Sequence, residues 1–256
     1  MNSDAERTIS KRIQYGGDVI NLSHLNMTVL PTEILNYRKK LKALLLSNCN
    51  LIMPPTEIES AVLLEDLNLD NNSLSILPSC ICKLENLSCL CLSGNKFAHI
   101  PTELCNLKRL RRLFINRAQL MFFPLAICSL KSLEFLGLAG NQLDSLPDEL
   151  QNLKQLQWID LSSNNLRELP VALQNLRNLH FINISQNSFT KMPEHLLSVP
   201  KLSTIIIQRN SVKIIPENLT SRILRMAKLD LRNNPIEDMP IELMSCEHVF
   251  IGNTND

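Results

Sequence analysis

A proline returns about every 23 residues through most of the chain, and that spacing constrains the fold more than any other feature. Pro31, Pro55, Pro78, Pro101, Pro124, Pro147, Pro170, Pro193, Pro216 and Pro240 close ten segments. These segments begin at Gly17, Leu41, Leu64, Leu87, Leu110, Leu133, Leu156, Leu179, Leu202 and Met226. The first and last steps are 24 residues and the seven between are 23. Leu156–Pro170, LQWIDLSSNNLRELP, shows the pattern most plainly. A unit this short cannot bury its own apolar side, so neighbouring units must stack and share one core.

Each segment can be built from physics. Positions three to seven alternate outward and inward as a strand does, with positions four and six apolar and inward. Position nine is Asn in seven repeats: Asn72, Asn95, Asn141, Asn164, Asn187, Asn210 and Asn234. A buried amide both donates and accepts, so stacked asparagines can satisfy backbone groups that would otherwise go unpaired. The proline ends the strand side and sets the chain for a short helix. Thr32, Thr56, Ser79, Thr102 and Asp148 are the expected N-caps. Lys108, Lys131, Lys154 and Arg177 fall near the expected helix ends, where cations suit the dipole.

Ahead of the repeats, Ala5, Ile9 and Ile13 have helical spacing with Lys11 and Arg12 opposite, and Gly16-Gly17 ends the run. The expected organisation is a capping helix over residues 1–16, ten repeats over 17–247 and a short tail over 248–256. His248 to Ile251 could start one further strand.

Charge and composition exclude several functions. Lys and Arg number 26 against 25 Asp and Glu, so no global field draws the chain to nucleic acid or an anionic membrane. The Lys108–Arg112 basic run lies inside a repeat and reads as a solvated surface. MNSDAERTISKRIQYGG has no apolar h-region, and no run of 18 apolar residues exists. A cytoplasmic protein without membrane insertion is expected, and a monomer. In that setting the eight cysteines should be free thiols. Cys80-x-Cys82 and Cys89-x-Cys91 resemble a zinc site, but the repeat puts them on opposite sides of the core. Cys82, Cys105 and Cys128 share one repeat position and should be buried. Six scattered glycines make no phosphate loop, the five histidines share no spacing, and no nucleophile elbow occurs. Neither a catalytic residue nor a cofactor or metal is expected.

The pattern resembles the leucine-rich repeat family in its intracellular form, LxxLxLxxNxLxxLPxxIxxLxx, over about residues 17–247. Ras-suppressor, Shoc-type and Erbin-like proteins are the nearest likenesses. The resemblance implies an α/β fold, a leucine-rich repeat solenoid. It would be curved, with a parallel sheet on its concave face and short helices or irregular turns on the convex side. It also implies a non-catalytic scaffold for protein–protein interaction in signalling. Shoc-type members bind Ras-family GTPases and protein phosphatase 1, so a small GTPase or a phosphatase complex is the expected partner class. The competing class is an adaptor subunit of a ubiquitin ligase or a cytoskeletal or axonemal assembly. There the convex side or the C-terminal edge would matter more. The family's basic-x-Val/Ile-x-Phe/Trp phosphatase contact has its nearest counterpart in Lys11-Arg12-Ile13-Gln14-Tyr15, which ends in Tyr.

Function should lie where the repeat departs from itself, at the outward positions. Position three carries Phe135, Trp158 and Phe181 in consecutive repeats, and Phe114 occupies position five one repeat earlier. Rings on adjacent strands can stabilise the sheet by stacking or anchor an interface, and the two roles are compatible. The fifth repeat has Ala118 in place of Asn and outward Arg111, Arg112 and Arg117. Met121 and Phe122 occupy usually polar loop positions there. Either this is drift in a tolerant scaffold or it is a basic half of a groove. Glu65, Asp66 and Asp70 would supply the opposite charge and orient a partner. The expected protein-binding residues are therefore Arg111, Arg112, Phe114, Arg117, Phe135, Trp158, Asp160, Phe181 and Arg209.

Overall fold

The structure, a computed structural model, describes residues 3–53 and 56–253. Pro55 of the second repeat lies outside the described residues. The chain divides into two compact units. One takes the residues up to Leu120 together with Pro124–Leu133, and the other takes Met121–Phe123 together with the residues from Glu134 on.

Both units are built the same way. In every repeat, positions three to five form the strand. In the first unit these are β1 (Val19–Asn21), β2 (Ala43–Leu45), β3 (Asp66–Asn68), β4 (Cys89–Cys91) and β5 (Arg112–Phe114). In the second they are β6 (Phe135–Gly137), β7 (Trp158–Asp160), β8 (Phe181–Asn183), β9 (Thr204–Ile206) and β10 (Lys228–Asp230). A further strand, β11 (Val249–Phe250), pairs with β10, so the residues after the last repeat do continue the sheet. Within each unit neighbouring strands are parallel and in register, position three against position three, as in Asp66↔Cys89 and Trp158↔Phe181. One strand residue in each repeat points inward. Leu67, Leu90 and Leu113 in the first unit and Leu136 and Ile182 in the second have no solvent exposure. Burying each such side chain is worth about 1.5–3 kcal/mol.

The asparagine ladder forms as its chemistry requires. Asn164 Nδ2 donates to the Leu138, Leu161 and Ser162 carbonyls at 3.0, 2.9 and 3.2 Å, while its Oδ1 accepts from Leu143 N–H at 3.1 Å. Asn72, Asn95, Asn187 and Asn210 repeat this arrangement. The second repeat places Cys49 at position nine, and its thiol donates to the Leu22 carbonyl at 3.2 Å. A thiol can thus supply one of the amide's donor bonds.

The proline-led segments are mostly short 3-10 turns, such as Thr102–Asn106 and Asp148–Asn152. The N-cap is the proline itself (Pro31, Pro101 and Pro147 among them), with no side-chain cap bond. The expected capping roles of Thr32, Thr102 and Asp148 are therefore not found, because each is already the first helical residue. Ser79 lies ahead of the short turn Ile81–Lys83, whose N-cap is Cys80. Lys108, Lys131, Lys154 and Arg177 each lie two residues beyond their turns, near the helix ends as expected, and Lys131 Nζ donates to the Cys128 carbonyl at 3.4 Å. Cys82 and Cys128 are buried, as the repeat position implies, but Cys105 is only half-buried.

Helix α1 (Ser3–Tyr15) covers the open end of the first unit. Ile9 and Ile13 are buried, and the Arg12 guanidinium reaches over to donate to the Asn21 and Ser23 carbonyls. Gly17, at φ +67°, ends the helix in a left-handed conformation suited to glycine.

Candidate protein-binding face

The outward residues of β6 to β9 form the aromatic face of the second unit. Trp158 and Phe181 meet ring to ring, with centroids 5.5 Å apart and planes 9° from parallel. Phe135 stands opposite Trp158 in register, and Thr204 opposite Phe181. Phe135, Trp158 and Phe181 are all half-buried, while the intervening Leu136, Ile159 and Ile182 are sealed in the core. Strand pleating therefore leaves the rings open on one face, and a stacked pair of this geometry adds about 0.5–1.5 kcal/mol beyond burial.

Asp160 shares that face with Trp158, but one of its carboxylate oxygens accepts from the Ser162 backbone N–H at 2.9 Å. The same bond, from position five to the N–H two residues on, recurs at Asn21, Asn68 and Asn183. Position five thus carries an Asx turn wherever Asn or Asp stands there. The sequence signal was available in the motif Asn/Asp-Leu/Ile-Ser at Asn21, Asp160 and Asn183, whereas Asn68 is followed by Leu69-Asp70.

Arg209 is exposed and lies at position eight with φ +52°. Position eight is left-handed in every repeat: His24, Asn48, Asn71, Gly94, Arg117, Gly140, Ser163, Gln186, Arg209 and Asn233 all have positive φ. The turn leaving the strand demands this conformation, at a cost of about 1–2 kcal/mol for a residue with a side chain. Sequence reasoning missed it, because only the Asn and Gly members of the set announce it.

Arg111, Arg112, Phe114 and Arg117 belong to the first unit, and Phe135, Trp158, Asp160, Phe181 and Arg209 to the second. Arg112 and Phe114 are outward on β5, opposite Cys89 and Cys91 of β4. The three arginines are exposed and Phe114 is half-buried. Arg111 lines a shallow depression with Glu65, Asn86, Ser88, Arg109 and Ser132. Burial pushes the Asp70 carboxyl above its ordinary range, against hydrogen bonds from Ser93 and the attraction of Arg117. Acid and base thus interleave on the first unit. Ala118 is fully buried at its ladder position, and its carbonyl accepts from Phe97 N–H at 3.1 Å. In the adjoining loop Met121 and Phe122 are 59% and 76% exposed.

Far along the second unit, Asp230 has no solvent exposure. Its carboxylate accepts from Arg232 Nε and Nη2 at 2.9 and 2.7 Å. The Gln208 amide donates to it at 2.5 Å and Lys228 Nζ is 3.4 Å away. Burial would raise this carboxyl, but the hydrogen bonds from Arg232 and Gln208 outweigh it and hold the group below its ordinary range. Lys228 and Arg232 also lie over the Phe250 ring, at 4.9 and 5.5 Å. This network ties β11 to β10.

A family model described as a leucine-rich repeat region matches residues 124–248, and a second model, Leucine Rich Repeat, matches residues 63–84 and 86–107. The chain is a leucine-rich repeat protein. Comparison with curated proteins gave no match. Among solved structures it is similar to a leucine-rich repeat protein of Leptospira interrogans. Identity is 23%, the TM-score 0.70, and the match covers 95% of this chain and 80% of that one. It is also similar to the ectodomain of the Arabidopsis thaliana receptor kinase GASSHO1/SCHENGEN3, solved in complex with CASPARIAN STRIP INTEGRITY FACTOR 2. There identity is 28% and the TM-score 0.77, over 93% of this chain and 30% of that one. The Arabidopsis receptor kinase HAESA, solved with the peptide hormone IDA and the co-receptor SERK1, gives 30% identity and a TM-score of 0.69. That match covers 80% of this chain and 36% of the receptor. The chain thus spans about a third of these two receptor chains. Among the described residues, no helix is long and apolar enough to cross a membrane.

Proposed function

We propose that this leucine-rich repeat protein is a non-catalytic scaffold that binds another protein on the outward face of its second unit. The observation that carries this reading is the stacked, half-exposed Trp158–Phe181 pair. The strands beneath it already bury their apolar side, so the rings are left over from the needs of the fold. Large rigid aromatics are the usual anchors of interfaces. Two of the similar receptor chains were solved with a protein or peptide ligand, which supports binding as the use of this fold. By resemblance to Shoc-type proteins, the partner is a small GTPase or a phosphatase complex. Arg111, Arg112 and Arg117, exposed among Glu65, Asp66 and Asp70, give the first unit a mixed charged surface suited to orienting a partner.

Proximity labelling with wild type and a Trp158→Ala, Phe181→Ala double variant tests the proposal. The double variant should keep its circular dichroism and lose its partners, each ring contributing roughly thirtyfold in affinity. A folded double variant that keeps every partner overturns the aromatic face. Capture of a purified Ras-family GTPase only in its GTP state would support that partner class, and equal capture in both nucleotide states would remove it.

A further inference from the structure

The loops that leave the first strands carry an exposed apolar ridge in the first unit. In the first three repeats position thirteen is Val29, Met53 and Ile76, and Ile52 joins them at position twelve. All four are between 57% and 65% exposed. Leu30 and Leu77, at position fourteen, are buried, so the first and third loops make their core contact without the residue at thirteen. Nor does the repeat call for an apolar residue there. Repeats six to eight place Asp144-Ser145, Arg167-Glu168 and Thr190-Lys191 at the same two positions. The fourth and fifth repeats carry Ala98-His99 and Met121-Phe122.

Spacing, area and charge together select what covers this ridge. Backbone bonds join successive loops: Ile52 N–H donates to the Thr28 carbonyl at 3.3 Å, and Ser73 N–H to the Leu51 carbonyl at 2.9 Å. Loops bonded in this way repeat at about 4.8 Å, the spacing of neighbouring strands. An α-helix laid along the ridge repeats every turn, about 5.4 Å, and drifts by only about 0.6 Å per loop. An extended segment shows one face a side chain every ~6.6 Å and drifts by about 1.8 Å per loop. Four side chains at this exposure present roughly 400 Å² of apolar surface, a size that marks interaction sites. That is about half of the 800 Å² per partner in a standard protein–protein interface, so the ridge alone is too small for a stable dimer. It matches one face of a short helix.

Charge removes the rivals. Residues 25–32, 47–53 and 71–82, which hold the ridge, contain no Asp, Glu, Lys, Arg or His. A membrane-surface site sets Lys and Arg beside its apolar residues, and a nucleic-acid site needs cations for phosphates. The ridge offers none. We propose that Val29, Ile52, Met53 and Ile76 dock an amphipathic α-helix of a partner protein. The helix lies along the stack of loops, with apolar residues at i, i+4 and i+7 facing the ridge and its charged residues turned away. Each turn sets one apolar side chain against one loop. The surface uses none of the outward strand residues and so goes beyond the aromatic face.

The probe is a synthetic peptide of about 15 residues with Leu at i, i+4, i+7 and i+11, stapled because helices this short are marginal in water. A second peptide of the same composition carries Leu at alternate positions. Fluorescence anisotropy with the full chain should show the helical peptide binding, and the alternating one binding at least roughly tenfold more weakly. Met53→Asp combined with Ile76→Asp should weaken the helical peptide by roughly tenfold or more. Thr190→Asp combined with Lys191→Asp, at the corresponding positions of the eighth repeat, should leave it intact. Methyl NMR of the wild type avoids any misfolding of variants, and the peptide should perturb Val29, Ile52 and Ile76. No binding of the helical peptide, equal binding of the two, an unchanged Met53–Ile76 variant, loss in the control or perturbation confined to other methyls overturns the proposal. Binding to phosphatidylcholine–phosphatidylserine vesicles that the Met53–Ile76 variant loses would make the ridge a membrane contact instead. Self-association in sedimentation that the same variant abolishes would make it an interface between copies, and either result also overturns the helix.

Discussion

At the scale of single residues, the ladder asparagines and the position-eight turns set the tolerances of this protein. Asn164 satisfies three carbonyls and one N–H, and it is buried. Asn164→Ala orphans all four groups at once. The expected loss is about 2–4 kcal/mol, since each unsatisfied buried group costs about 1–3 kcal/mol and part of the strain relaxes. Urea unfolding of the variant measures it, and a loss below ~1 kcal/mol would mean the ladder is dispensable. Nature has made a milder version of this change at Cys49, where a thiol keeps one donor bond, and a complete one at Ala118. Arg117 and Arg209 show the opposite bias. The turn holds both in a left-handed conformation, so their side chains project from a fixed backbone.

At the scale of elements, the parallel strands are short and owe their stability to what lies beneath them. Three residues of strand per repeat contribute one core side chain, and the rest of the core comes from the turns on either side. The ends of such a stack need covering. Helix α1 does this at the first repeat, with Ile9 and Ile13 inward. Ile13, 2% exposed, is the anchor. Ile13→Ala should cost about 2–4 kcal/mol by leaving a cavity against β1. Hydrogen exchange would localise the damage, with faster exchange at Leu22 and His24 in the first repeat. Unchanged protection there would show that α1 is ornamental. At the other end β11 and the Asp230 network do the corresponding work with a different device, ionic and cation–π contacts in place of an apolar helix face.

At the scale of the whole molecule, near-neutral charge removes any general electrostatic steering, and pH acts through two carboxyls of opposite sign. The fold depresses Asp230, so its contribution is fully present above the ordinary value of 3.8 and is lost as pH falls through the lower folded value. The fold raises Asp70, so the ionised group destabilises the protein at neutral pH and protonation relieves it as pH falls towards 3.8. Asp70→Asn should therefore raise the urea midpoint at pH 7, and Asp230→Asn should lower it. The Asp70 difference should shrink as pH falls towards 3.8, and the Asp230 difference as pH falls below it. A midpoint for Asp70→Asn below wild type at pH 7 would mean its bond to Ser93 outweighs its burial. Much of this architecture was legible beforehand. The 23-residue proline period placed every repeat, and the strands occupy positions three to five in each. The sequence determined this because a repeated pattern must bury the same side chains at every step. Other features were decided only in three dimensions. The stacking of Trp158 on Phe181 depends on ring orientation across a register, and the left-handed turns recruit Arg, Gln and Ser, which do not advertise it. The convergence of Cys89 and Cys91 sulfurs depends on side-chain rotamers that no spacing records. Period and polarity are properties of the chain, whereas these contacts arise between residues 21 to 27 apart or from rotamers set by neighbours.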